Sequence, residues 1–182
     1  PWNLAYSDVE AVDLGGAAGA INLTGGSEAN TFYGNASANV LSGGAGNDTL
    51  TGGAGNDTLD GGNDDDALYG GTGLDRLTGG SGADSFHFNA PLLAANLKTL
   101  TDFSAGTDTL VFEALGIAAL PASYDESMFQ SAANHVASSL AVRFLYDSAL
   151  GNLYYDADGS AAAKSAVLFA HLDGNPALSA TD

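Results

Sequence analysis

From Gly25 to His87 the chain holds a nine-residue phase without an insertion: GGSEANTFY, GNASANVLS, GGAGNDTLT, GGAGNDTLD, GGNDDDALY, GGTGLDRLT and GGSGADSFH. The common pattern is Gly-Gly-x-Gly-x-Asp-x-U-x, with U a large apolar residue. A short fixed period over seven units belongs to a solenoid, in which each unit packs on its neighbours in the stack. A glycine-rich linker with solvated acids is the bland alternative, but a linker has no physical reason to keep phase.

The eighth position of each unit is Phe32, Leu41, Leu50, Leu59, Leu68, Leu77 or Phe86. One inward apolar residue per unit predicts a three-residue strand whose other two side chains point out. The glycines mark a tight turn that needs positive φ or close backbone approach. Two units then make one coil of strand, turn, strand, turn. The expected fold is all-β, a right-handed parallel β-roll with two narrow rows of apolar side chains, followed by a β-rich cap. The core of such a roll is thin. One buried side chain per unit is little to set against the entropy of ordering a glycine-rich backbone, so something must bind the turns.

The sixth position supplies it: Asp48, Asp57, Asp66, Asp75 and Asp84. Asp48, Asp66 and Asp84 should stack along one edge, and Asp57 and Asp75 along the other. Stacked carboxylates repel unless a cation lies between them. Ca²⁺ takes about six to eight hard oxygens from carboxylates and carbonyls, and a glycine turn offers its carbonyls to the next turn. Composition agrees. There are 22 acidic and 4 basic residues, a formal net charge of −18, which disfavours nucleic acid and anionic membrane surfaces as partners. Cysteine is absent, so no disulfide can staple the fold and a bound metal is the natural substitute. No apolar run is long enough for a transmembrane helix.

These residues closely resemble the RTX (repeats-in-toxin) nonapeptide family, whose members leave bacteria by type I secretion. In that family each ion sits between turns one coil apart. The earlier turn gives carbonyls from positions two and four and the position-six carboxylate; the later turn gives carbonyls from positions one and three and its own carboxylate. The resemblance implies a first site of Gly44, Gly46 and Asp48 with Gly61, Asn63 and Asp66. It implies a second of Gly53, Gly55 and Asp57 with Gly70, Thr72 and Asp75. It implies a third of Gly62, Asp64 and Asp66 with Gly79, Ser81 and Asp84, in which Asp64 replaces the usual glycine; aspartate tolerates left-handed backbone better than most residues. In the first two units Asn30 and Asn39 replace the aspartate, and residues 25–42 are expected to be weakly metallated or metal-free. Of the two half-sites there, Asn39 facing Asp57 is the better. Three calcium ions are expected, and up to six.

The organisation expected is irregular N-terminal coils or a cap over 1–24, the roll over 25–87, and a β-rich capping region over 88–182. Leu100–Phe112 (LTDFSAGTDTLVF) matches the segment that follows rolls in the same family and reads as strand, turn, strand. Its Asp102 and Asp108 either close a further site with Gly71, Gly73 and Asp75 or are plain turn aspartates. Residues 113–140 are Ala- and Ser-rich and suit a short helix or an irregular loop. RFLYDSALGNLYYDADG and AVLFAHL read as strands, with turns at Ser148–Asn152 and Asp156–Gly159. Asp156, Asp158 and Gly159 superficially suggest an EF-hand loop, but the glycine falls early and no Glu closes it, so a hairpin turn is expected. Similar segments end serralysin-type proteases. Phe144, Tyr146, Tyr154, Tyr155 and Phe169 are candidates to cover the open end of the solenoid. In the family the far C-terminus carries an uncleaved secretion signal.

The sequence holds no His-Glu-x-x-His and no Gly-x-Ser-x-Gly. His87, His135 and His171 are far apart in sequence, and Lys164-Ser165 lacks the glycines of a phosphate loop. The chain starts at Pro1 without Met and reads as an excised part of a larger secreted protein, whose catalytic domain, if it has one, would lie upstream. Three functions fit such a module: a calcium-triggered folding and export unit, a recognition surface of a large adhesin, or part of a hydrolase or epimerase. The run of aspartates without a catalytic set selects the first. The partners expected are calcium ions, the type I secretion machinery through the C-terminal region, and an extracellular ligand of unknown kind; the location expected is extracellular or the cell surface.

Overall fold

The computed structural model describes residues 2–5, 11–13, 15–113, 129–131, 143–156 and 166–182. In chain order the strands are β1 (Trp2–Ala5), β2 (Ala11–Asp13), β3 (Ile21–Thr24), β4 (Thr31–Tyr33), β5 (Val40–Ala45), β6 (Thr49–Ala54), β7 (Thr58–Asn63), β8 (Ala67–Thr72), β9 (Asp75–Ser81) and β10 (Ser85–Phe88). A 3-10 turn at Ala94–Asn96 precedes β11 (Lys98–Leu100), β12 (Thr109–Phe112), β13 (Phe129–Ser131), β14 (Phe144–Asp147), β15 (Asn152–Tyr155) and β16 (Val167–Leu172). Among the described residues no helix is long and apolar enough to cross a membrane.

Through β12, odd and even strands part into two sheets, as a two-unit coil demands. The first sheet runs β1-β3-β5-β7-β9-β11-β16-β15-β14-β13, and the second β12-β10-β8-β6-β4-β2. From β3 to β10 successive neighbours are parallel, with partners one coil apart: Leu23, Leu41, Leu59 and Leu77 form one ladder, and Phe32, Leu50, Leu68 and Phe86 the other. Each of these side chains is at most 1% exposed, so the thin core is dry. Leu100 and Leu172 continue the first ladder. The fold is an all-β solenoid of stacked parallel strands, as the period predicts.

Strands β5 to β9 are longer than three residues. In the central coils they run through both glycines into the third position of the next unit, with Gly44 opposite Gly62 and Gly53 opposite Gly71. The turns repeat at the same spacing as the strands, so the parallel ladder of hydrogen bonds continues into them; Ala45 N donates to Gly26 O at 2.8 Å and Ala54 N to Asn35 O at 3.0 Å. Strands β1, β2 and β3, in the segment 1–24, extend the two sheets at the other end.

Beyond His87 the phase breaks. Lys98 pairs with Asp75 and Thr109 with Ser85, offsets longer than one coil, so each sheet gains one more strand across a longer connection. The first sheet then changes character: β16 runs parallel to β11, while β15 and β14 follow antiparallel around a turn at residues 148–151. Phe144, Tyr146, Tyr155 and Phe169 are buried and join the leucine core, with Phe169 edge-on to Phe88 at 5.2 Å between ring centroids. Tyr154 is different: alternation along β15 turns it to the opposite face, against Leu145. At the C-terminus, Gly106 N donates to the Asp182 carboxylate at 2.6 Å. The expected helix or loop over 113–140 lies outside the described residues apart from residue 113 and β13, as do His135, Lys164-Ser165 and all of the Asp156–Gly159 turn but Asp156.

Candidate metal centre

Two rows of turns flank the core. Along one edge run residues 25–30, 43–48, 61–66 and 79–84; along the other, 34–39, 52–57 and 70–75. Each ends on the sixth position, immediately before or at the start of a strand whose apolar residue points inward. Backbone alternation therefore turns the position-six side chain inside as well. Asn30, Asn39, Asp48, Asp57, Asp66, Asp75 and Asp84 are all at most 3% exposed.

The carboxylates are linked from coil to coil. Asp48 N donates to Asp66 Oδ1 at 2.7 Å, Asp66 N to Asp84 Oδ1 at 3.0 Å, and Asp57 N to Asp75 Oδ1 at 2.9 Å. That uses one oxygen of each. The other, Oδ2, is buried without a hydrogen-bond partner in Asp48, Asp57, Asp66 and Asp84. A buried charged oxygen left without a donor is costly, and four in periodic array mark a place for a cation. The main chain completes the picture. A Cβ built on Gly43 would collide with Asp48 Oδ2 and lie 2.7 Å from Gly61 O; on Gly61 it would collide with Asp66 Oδ2 and lie 2.7 Å from Gly79 O. The same holds at Gly52 for Asp57 Oδ2 and Gly70 O, the latter at 2.8 Å. The first glycine of each turn thus leaves open a small space bordered by its own turn's carboxylate and the next turn's first carbonyl. The donor set is hard oxygen throughout, which fits Ca²⁺. Among the described residues no three His, Asp or Glu side chains converge on one point; each candidate has two carboxylates at most and relies on carbonyls for the rest.

Without an ion the carboxyls resist ionisation. Burial, and then the neighbouring Asp48, Asp84 and Asp64 charges, push Asp66 up to about 7 against the lowering hydrogen bond from Asp48 N. Asp57 is pushed to about 6, again chiefly by burial, and Asp48 and Asp84 also rise for that reason.

The structure thus brings together the core of all three sets expected from the sequence: Asp48 with Gly61, Asp57 with Gly70, and Asp66 with Gly79. Gly46 (φ 90°) and Asp64 (φ 75°) both hold left-handed backbone at the fourth position of their turns, so the aspartate in the glycine's place adopts the conformation required of it. Asp64 Oδ2 accepts from Gly46 N at 3.0 Å, and Ser81 Oγ donates to Asn63 Oδ1 at 3.0 Å, further ties between stacked turns. Thr72 O accepts from Gly55 N at 3.0 Å, which engages one of its two lone pairs.

Two expectations are corrected. Asn39 does not offer its oxygen to a half-site with Asp57. Its Oδ1 accepts from Ile21 N at 3.1 Å, which aims the amide nitrogen at Ser37 O (2.5 Å), Asp57 Oδ1 (3.0 Å) and Gly52 O (3.2 Å). The amide nitrogen stands where the position-six Oδ2 stands in the other turns, and presents donors where they present an acceptor. Nor do Asp102 and Asp108 meet Gly71, Gly73 and Asp75. The turn after β11 lies on the edge of Asp84, not that of Asp75. Asp102 accepts from Gly79 N at 2.9 Å and Gly80 N at 2.8 Å, and Asp108 from Asp84 N at 3.1 Å and Ser104 N at 2.8 Å. Facing Gly73 and Asp75 instead is Lys98. It is 1% exposed, with Nζ 2.8 Å from Asp75 Oδ2 as an ion pair and donating to Asn96 O at 3.0 Å and Gly73 O at 3.2 Å.

His87 is not isolated in space. It stacks on Tyr69 and lies 3.2 Å from both Glu113 Oε1 and Ser85 Oγ. The grouping resembles a hydrolytic triad in residue type only, because the Ser85 hydroxyl donates to Asp66 O at 3.1 Å. His171 bonds Asn152 and Asp173 on the first sheet.

Residues 24–59 and 60–90 match the family model of the RTX calcium-binding nonapeptide repeat (4 copies). No curated protein matches the chain. The stacked turns with their inward aspartates and open glycine spaces are thus RTX calcium-binding repeats, folded as a β-roll.

Proposed function

We propose that the roll is a calcium-gated folding unit of a larger secreted protein, holding Ca²⁺ between turns at three sites. The first is formed by Gly44, Gly46, Asp48, Gly61, Asn63 and Asp66; the second by Gly53, Gly55, Asp57, Gly70, Thr72 and Asp75; the third by Gly62, Asp64, Asp66, Gly79, Ser81 and Asp84. The observation that carries the reading is the periodic array of buried, unpartnered Oδ2 atoms. Parallel neighbours stand about 5 Å apart, and two charges at that spacing repel by about 3 kcal/mol at an effective dielectric of about 20. A divalent cation between them turns the repulsion into bridging.

The consequence is a switch set by compartment. Where calcium is scarce the repeats stay repelled and open, fit to pass a type I exporter. Outside, calcium at about 10⁻⁴–10⁻³ M, the range of extracellular modules, folds them, and metal binding becomes folding free energy. The roll then serves the parent protein's export and stability and is not itself an enzyme. The test is far-UV circular dichroism during calcium titration from excess chelator, with magnesium as control. A cooperative gain of β signal specific to calcium is expected. A folded spectrum indifferent to chelator would overturn the proposal.

A further inference from the structure

The two edges of the roll end differently. On the edge of Asp57 and Asp75, the place of the next position-six aspartate belongs to Lys98. The strand register sets Lys98 opposite Asp75, and Lys98 stands two residues before Leu100 as Asp75 stands two before Leu77. Its ammonium touches the position-four carbonyl of the preceding turn, Gly73 O, the position-six carboxylate, Asp75 Oδ2, and one carbonyl of its own connection, Asn96 O. The arrangement is built: Asn96 Oδ1 accepts from Gly73 N at 3.1 Å, tying the connection to the turn. A Cβ on Gly70 would lie 2.9 Å from Lys98 Cε. At the other end of the same edge, the Asn39 amide nitrogen meets the equivalent position-four carbonyl, Ser37 O, with Gly52 O and Asp57 Oδ1 of the next turn.

We propose that the Lys98 ammonium is a protein-borne replacement for calcium that closes this edge, so that the row of Asp57 and Asp75 takes a single ion while the opposite row takes two. This rests on the reading that the turns bind calcium. A hard cation cannot share the space: the ammonium already occupies the oxygens it would need and carries the same sign of charge. Asp75 is thereby neutralised whether or not calcium is present, which leaves the last coil on this edge independent of the metal that the rest of the roll requires.

The test compares the full chain with Lys98→Asp, which restores a position-six carboxylate. Native mass spectrometry in calcium buffer should count one ion more in the variant than in the parent. An equal count in a folded variant overturns the inference and leaves the calcium reading intact; a parent that binds no calcium overturns both. If the variant does not fold, labelling decides on the parent chain. With acetic anhydride in calcium, Lys98 should react at least about tenfold slower than in urea, as a fully buried group does. Labelling of Lys98 as fast as in the unfolded chain would overturn the inference.

Discussion

Asp66 belongs to two of the proposed sites, and Asp66→Asn separates its charge from its shape. The amide keeps the oxygen that accepts from Asp48 N and puts a nitrogen where Oδ2 stands, the arrangement Asn39 already uses. Without calcium the carboxyl is pushed from 3.8 to about 7. At about pH 8 the charged form then costs the metal-free fold on the order of 4 kcal/mol, at about 1.4 kcal/mol per unit, and the amide removes that cost. With calcium the variant loses two ions, each contributing about 2.7 kcal/mol at about a hundred times its Kd. The expected result is a variant more stable than the parent in chelator and slightly less stable in saturating calcium. Thermal melts across a calcium series check this. The dependence of stability on the logarithm of calcium concentration should fall from about three ions to about one. An unchanged slope, or equal destabilisation with and without calcium, would refute the reasoning and make Asp66 a mere hydrogen-bonding element of the turn.

Two further outcomes follow from the same geometry. The raised carboxyls of Asp57 and Asp66 mean that the metal-free roll binds more protons than the unfolded chain. Its stability is therefore greatest below the unfolded value of 3.8 and is lost as pH rises through about 6 to 7. Circular dichroism in chelator should show β signal gained on acidification from about pH 8 to about pH 5, and the calcium needed for folding should not rise over the same range; a flat profile in chelator would contradict the assignment. Leu59→Ala, at a site with 0% exposure in the centre of its ladder, should cost about 2–5 kcal/mol in saturating calcium by urea unfolding, whereas Val40→Ala, at 48% exposure, should change stability by no more than about 0.5 kcal/mol.

The repeat made most of this legible. A phase kept from Gly25 to His87 fixes which residue of each unit points inward, which pairs with which, and which aspartates share an edge, because in a solenoid register and period are the same quantity. What lay past the last repeat was harder. Once the offset between stacked strands lengthens, counting no longer says on which edge a turn falls: Asp102 and Asp108, which the sequence allows either as partners of Asp75 or as plain turn aspartates, belong beside Asp84. Asn39 failed for another reason: an amide carries a donor and an acceptor on one carbon, and only its neighbours decide which faces the site. Lys98 left a usable signal. A lysine two residues before an inward leucine repeats the Asp-x-Leu of the roll with the charge reversed.

That reversal bears on how a row of charged turns can end at all. An ion between coils needs oxygens from both sides, and the terminal aspartate of a row has a neighbouring turn on one side only. Left alone it would be a buried charge with half a site, the costliest arrangement available. The chain meets the problem differently at each place it arises. Asp84 is followed by a turn outside the nine-residue phase in which Asp108 accepts the Asp84 N–H as the earlier aspartates do, and takes a donor of its own from Ser104. Asp57 is met from the N-terminal side by the Asn39 amide, and Asp75 from the C-terminal side by the Lys98 ammonium. Donors carried by the chain thus stand where the stack of ions must stop. On the proposed sites, the number of ions in a row is set by the distance between such residues rather than by the number of glycine turns, so a roll with more repeats between Asn39 and Lys98 is expected to take more calcium on that edge, while added turns beyond either residue are not.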